Sequence, residues 1–188
     1  MTAPHTATDV PFTAREFRNA MGQFASGVVV ITVTTDEGPH AMTANAFMSG
    51  SLEPPLVVIS VAATARMHQW LQHADGFGVS ILTSHQEKDS NHFAGRRSSD
   101  YAPQIEMLGG TPVIAGAAVR LAADRQYAYP CGDHTLFVGH VRQLQIAPPQ
   151  EVRPLLFYCG KYGAISPSAW SEESAPIRLR PEADSQWW

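Results

Sequence analysis

The stretch Met42-Thr43-Ala44-Asn45-Ala46-Phe47-Met48-Ser49-Gly50-Ser51-Leu52-Glu53-Pro54-Pro55 decides how the rest of the chain is read. It sets small hydroxyl and amide side chains ahead of a Pro-Pro pair, and the apolar run Leu56–Val61 follows at once. Small polar residues feeding a buried strand suit a planar heteroaromatic ligand. Backbone N–H groups can approach the ring edge, and Thr43, Asn45, Ser49 and Ser51 can donate or accept hydrogen bonds. The same residues also describe an ordinary Ser/Gly-rich turn between strands. The surrounding chain has to separate the two readings.

Working outward, Thr13 with Glu16 three residues on has capping-box spacing. Phe17, Met21 and Phe24 then recur on one face of a helix that Gly27 ends. Val28–Thr34 is dense in β-branched residues and reads as a buried strand. Asp36-Glu37-Gly38-Pro39 turns the chain into a second strand, His40–Ala46. Leu56–Val61 reads as a strand buried on both faces. Met67–His73 is a short helix with Trp70 and Leu71 inward, Phe77–Leu82 a strand, and Gln86–Ala94 a helix stopped by Gly95. Residues 96–110 read as an irregular surface excursion. Val113–Ile114 with Ala117–Leu121 as further strand material, then Thr135–Val141 and Leu155–Tyr158, complete a set of six or seven short strands.

That pattern implies a mainly β fold, a barrel with short helices. It spans residues 13–167, between a lead over 1–12 and a polar tail over 168–188. Neither a G-x-G-x-x-G after a strand nor a P-loop motif is present, so nucleotide binding needs another scaffold.

At 188 residues the chain is long enough for one self-sufficient core. With 13 basic and 17 acidic residues its net charge of −4 gives no general pull toward nucleic acid or an anionic membrane. A phosphorylated ligand then needs a local cluster, for which Arg66, Lys88, Arg96, Arg97 and Lys161 are candidates. Cys131 and Cys159 are too few for a disulfide framework and read as reduced thiols. The N-terminus has no secretory pattern and no apolar run is long enough to span a bilayer, which leads to the expectation of a soluble, cytoplasmic protein. The histidines show no zinc spacing with the cysteines, so no metal site is expected.

Four segments then carry a resemblance. They are Phe17-Arg18-x-x-Met21-Gly22-x-Phe24-Ala25-Ser26-Gly27-Val28, the Met42–Val57 stretch, Phe77-x-Val79-Ser80-x-Leu82 with Phe93-Ala94-Gly95, and Gly132-Asp133-His134-Thr135-Leu136-Phe137-x-Gly139-x-Val141. In this order they resemble the short-chain flavin reductase family, the reductase components of two-component flavin-dependent monooxygenases, over residues 15–165. The resemblance implies an FMN-binding split barrel, usually homodimeric with flavin near the subunit interface. It implies hydride transfer from NADH or NADPH to FMN or FAD, with reduced flavin passing to a separate oxygenase. The family carries Thr or Ser where this chain has Val29, a difference that removes a hydroxyl expected near the barrel mouth.

On this basis Thr43, Ala44, Asn45, Ala46, Phe47, Ser49 and Ser51 are the expected flavin loop. Thr43, Asn45 and the amides around Ala46 and Phe47 are expected to donate toward the negative charge of reduced flavin. Ser60, Ala65 and Arg66 follow the central strand, where the family places groups against the flavin phosphate. Phe93 and Tyr162 are further flavin contacts, each with core or interface packing as its plainer role. His134, within Gly-Asp-His, is the expected nicotinamide-orienting residue. Two other functions fit the same barrel, a flavin storage or sensor protein without turnover and an oxidase of the pyridoxamine-phosphate type. The Gly-Asp-His segment favours the reductase over the first, and the sparse basic residues disfavour the second.

Overall fold

A computed structural model describes residues 11–148 and 152–165; most of the expected lead and the whole expected tail lie outside the described residues. Helix α1 (Ala14–Met21) starts at Thr13, whose side chain and that of Glu16 close the capping box in both directions. It stops earlier than its apolar period suggests. Gly22 caps it, and the Gly22 carbonyl accepts from the Cys159 amide at 2.9 Å, so a distant turn holds its last turn. None of its residues is buried, and Phe17, Met21 and Phe24 lie exposed.

Seven strands form the main sheet. They are β2 (Val29–Thr35), β3 (Gly38–Ala44), β4 (Phe47–Ser51), β5 (Leu56–Ala62), β6 (Gly76–Ile81), β9 (Val119–Cys131) and β10 (His134–Ile146), in the order β3-β2-β6-β9-β10-β5-β4. Strands β3 and β4 are the two edges, yet only Asn45 and Ala46 separate them in the chain. Seven flat strands at about 4.8 Å spacing would put the edges roughly 29 Å apart. The step from Ala44 to Phe47 reaches about 11 Å at most. The sheet must therefore curl until its edges meet at this corner. They do not pair along their length, so the barrel stays split, as the family resemblance implied.

Inside the barrel Val29, Ile31, Val33, Ile59, Val61, Phe77 and Phe137 form the main core, closed at one end by Met67 and Leu71 of helix α2 (Arg66–His73). Trp70 packs against this core but is only half-buried. A second core (Val28, Val30, Leu82, Ile114, Ala117, Leu155) lies on the outer side of β2. Helix α3 (Glu87–Phe93), a two-stranded sheet of β7 (Ile105–Leu108) and β8 (Thr111–Ile114), and a three-stranded sheet of β1 (Ser26–Gly27), β11 (Leu156–Tyr158) and β12 (Lys161–Gly163) complete the fold. Among the described residues no helix is long and apolar enough to cross a membrane.

Several sequence expectations change. The segment read as a loop after Ala46 is largely strand β4, because its backbone pairs with β5 from Phe47 to Ser51 across a bulge at Gly50. Strand β5 alternates buried and half-buried residues rather than burying both faces. The excursion over 96–110 contains β7. The described residues hold twelve strands, not six or seven, and the polar second halves of β9 and β10 hide their full thirteen residues each. Val29 is 2% exposed and packs in the main core opposite Ala44, so its side chain faces the barrel interior.

Candidate functional site

Two clefts lie side by side along β3 and the C-terminal end of α3, the first of them at the Asn45 corner. The first, about 460 Å³, is lined by Thr43, Ala44 and Asn45 from the corner, Arg96 beyond α3, and Lys161 and Tyr162 from β12, with Val28 and Phe157 as its apolar wall. That volume lies within the range of small-molecule sites. The second, about 230 Å³, is lined by His40, Met42, Arg66, His92, Phe93 and Arg97. The neighbouring Arg96 and Arg97 thus serve different clefts. The loop that carries them is anchored by Tyr101, whose hydroxyl donates to Asp89 Oδ1 at 2.7 Å. Burial and that carboxylate push the Tyr101 pKa up to about 12. Asp89 is itself buried and also accepts from Gln86 Nε2 at 3.1 Å.

The second cleft suits an anion. Burial and the positive charges of Arg66 and Arg97 hold the His40 imidazole below its usual pKa, so His40 tends to the neutral form in a field that two guanidiniums leave positive. Ala65 caps α2 without a side-chain hydrogen bond, and the first turn of the helix faces the same region as Arg66. Nδ1 of His92 is buried with no hydrogen-bond partner among the described residues, a polar group that a ligand could satisfy. Together the clefts offer polar groups for a planar heterocycle and cations for a phosphate tail. The residues fit a flavin mononucleotide unit.

Hydrogen bonds already made in the protein correct two expected roles. The Thr43 hydroxyl donates to the Ser90 carbonyl at 2.7 Å, so it has only lone pairs left for a ligand and cannot donate toward reduced flavin. The Phe47 amide donates to the Asn45 carbonyl at 3.0 Å and is likewise committed. The Phe47 ring packs against the main core, whereas Ala46 is exposed and its carbonyl accepts from Ser60 N–H at 3.0 Å. Asn45 is exposed and lines both the Tyr162 cleft and a larger neighbouring one.

Register places the remaining residues. Ser60 lies beside the corner, on the outer face of β5 opposite Leu136. Ser49 and Ser51 pair with Val57 and Leu56, about 10–13 Å further along β5 and away from the corner. Phe93 is half-buried, lines the Arg66 cleft and packs against the second core. His134 opens β10 opposite Ala62, at the same end of the sheet as the corner but two strands from β4. Its Nδ1 is 2.7 Å from Asp133 Oδ1, which orients the ring and holds the Asp133 carboxyl below its usual range. The Asp133 carbonyl accepts from Ala63 N–H at 2.9 Å and ties this turn to the loop before Arg66.

Sequence reading missed Val28, Phe157, His40, Ser90 and His92. Each is an ordinary strand or helix residue locally, and only its three-dimensional neighbours bring it to the site.

Residues 21–166 match the flavin reductase like domain. The chain is 38% identical over 168 residues to an NADH-dependent flavin reductase of Rhodococcus sp., covering 88% of this chain and 94% of that protein. It is 39% identical over 142 residues to the reductase component of a 4-hydroxyphenylacetate 3-monooxygenase of Thermus thermophilus, covering 76% and 90% respectively. The structure of flavin reductase PheA2 in its native state superposes with a TM-score of 0.78 at 42% identity, over 82% of this chain and 99% of that one. The chain belongs to the flavin reductase family.

Proposed function

We propose that this flavin reductase family member transfers hydride from NADH to FMN or FAD and releases reduced flavin to a separate monooxygenase. The observation that carries the reading is the Thr43–Asn45–Tyr162 cleft lying next to the Arg66–Arg97 cleft along β3 and the end of α3. A bound flavin supplies the hydride-accepting ring, and the protein supplies position and electrostatics. Thr43 and Tyr162 flank the ring, Asn45 contacts its polar edge, and Ser60, Ala65, Arg66 and Arg97 face the phosphate. Asp133 fixes the His134 ring through Nδ1, leaving Nε2 to orient the nicotinamide carboxamide. Phe93 walls the phosphate cleft, while Ser49 and Ser51 lie too far along β4 to touch the flavin ring.

The active form is a homodimer in a cytoplasmic setting. Support comes from the outer face of the sheet. Met48, Val58, Val138 and Tyr127 form one cross-strand row over four adjacent strands, with Leu136 and Tyr129 in the next. Met48, Tyr127 and Tyr129 are 60%, 51% and 52% exposed, and the two tyrosine rings stack at 5.7 Å. A contiguous apolar face of this kind marks an interaction surface. It borders Ser60 and His134, so a second subunit seated there would also roof the site.

Anaerobic mixing with NADH and either flavin tests the function. Bleaching of flavin in step with NADH oxidation is expected. Oxidised flavin that persists beside NADH overturns the reductase reading in favour of a flavin-storing protein.

A further inference from the structure

Ser90 lies on α3, outside all four segments that carry the family resemblance, and is 0% exposed. Its carbonyl accepts two hydrogen bonds, from Ala94 N–H at 2.9 Å and from the Thr43 hydroxyl at 2.7 Å. Its own hydroxyl is 2.7 Å from the Tyr162 hydroxyl. Thr43 belongs to the seven-stranded sheet and Tyr162 to the three-stranded one, and both line the same cleft. One buried serine therefore joins two cleft hydroxyls that no sheet hydrogen bond connects.

The chemistry of this junction is specific. A carbonyl oxygen has two lone pairs, and both are used here. The single Thr43 proton is committed to one of them, which leaves the Thr43 oxygen facing the cleft as an acceptor that matches a ring N–H. Tyr162 sits on a three-residue strand, braced on one side by an edge contact with Phe157 at 5.6 Å. The Ser90 hydroxyl is its hydroxyl's only hydrogen-bond partner among the described residues.

We propose that Ser90 is a positioning residue for the flavin ring: its hydroxyl sets the place of Tyr162, while its backbone carbonyl, kept in any substitution, sets the hydrogen-bond polarity of Thr43. The inference rests on the flavin reading of the cleft. Ser90 touches no ligand itself and acts through its two partners.

The test is a double-mutant cycle on FMN affinity, with melting temperature recorded alongside. Tyr162→Phe and Ser90→Ala are each expected to raise the Kd for FMN about five- to tenfold. The double variant should be no weaker than the weaker single variant, because both changes remove one interaction. Thr43→Val should also weaken binding, and Thr43→Ser should restore it. If Ser90→Ala does not fold, Tyr162→Phe decides, since it removes the same bond from a half-exposed side chain. Additive losses in the double variant, or wild-type Kd in Tyr162→Phe, overturn the role of Ser90 while wild-type flavin binding stands. Absence of flavin binding in the wild type overturns the cleft reading and this inference with it.

Discussion

Strands β2 and β5 look alike in sequence, Val29-Val30-Ile31-Thr32-Val33 against Leu56-Val57-Val58-Ile59-Ser60-Val61, yet the fold treats them differently. All five residues of β2 from Val29 to Val33 are buried. One side faces the barrel core, and the other is covered by Leu82, Ile114 and Leu155. β5 buries only Val57, Ile59 and Val61, leaving Val58 and Ser60 on a half-open face. A strand with apolar residues on both sides and cover on only one has a second partner to find. In β2 the same chain supplies the cover. In β5 that face stays open, and in the homodimer proposed above a second copy covers it.

The largest effect expected from this contrast is at Val30, which is 0% exposed. Val30→Asp places an unpaired carboxylate between the barrel and the outer core and should destabilise the chain by more than about 4 kcal/mol. Urea unfolding checks this, and a midpoint close to wild type would mean that the outer core is not a true interior. Val138→Asp makes the equivalent change on the open face beside Val58. The subunit should keep its melting behaviour at low concentration, but sedimentation should show monomers where a dimer is expected of the wild type. Flavin reduction should fall with the dimer. A dimer that survives moves the interface elsewhere, with the exposed apolar face of α1 as the next surface to probe.

Smaller effects sharpen the comparison at the site. Arg66→Ala removes a charged partner and should weaken FMN binding by about 1.5–3 kcal/mol while leaving riboflavin, which lacks the phosphate, nearly unchanged. Equal losses for both ligands would take Arg66 off the phosphate. His134→Ala should raise the KM for NADH about tenfold with little change in flavin Kd. A matching drop in melting temperature with normal reduction kinetics would make His134 structural instead.

The smallest signal is the His40 titration. Its folded pKa lies below the ordinary histidine value, so the neutral form favours folding. That contribution is present above the unfolded pKa and is lost as pH falls through the folded one. Bound phosphate should offset Arg66 and Arg97, so the imidazole titration followed by NMR should move up with FMN and stay in place with riboflavin. No shift with FMN would separate His40 from the phosphate site.

Much of the architecture was legible because local chemistry and fold agree. Thr13 and Glu16 cap α1, Gly95 takes a positive φ just past α3, and the β-branched run of β2 is buried. The misreadings share a cause. Met48-Ser49-Gly50-Ser51 has a turn's composition but lies in an edge strand, where cross-strand pairing overrides local preference. Ile105–Leu108 is a strand only because Thr111–Ile114 returns beside it.

The sequence by itself determined the β class, the helix starts and the residue types a flavin site needs, since these depend on neighbours a few positions away. Tertiary structure alone decided which cations share a cleft, which hydroxyls remain free to donate, and that Ser90 stands between Thr43 and Tyr162, 47 and 72 positions away. Those relations arise when a curled sheet brings distant strands to one corner, and no local pattern of side chains records them.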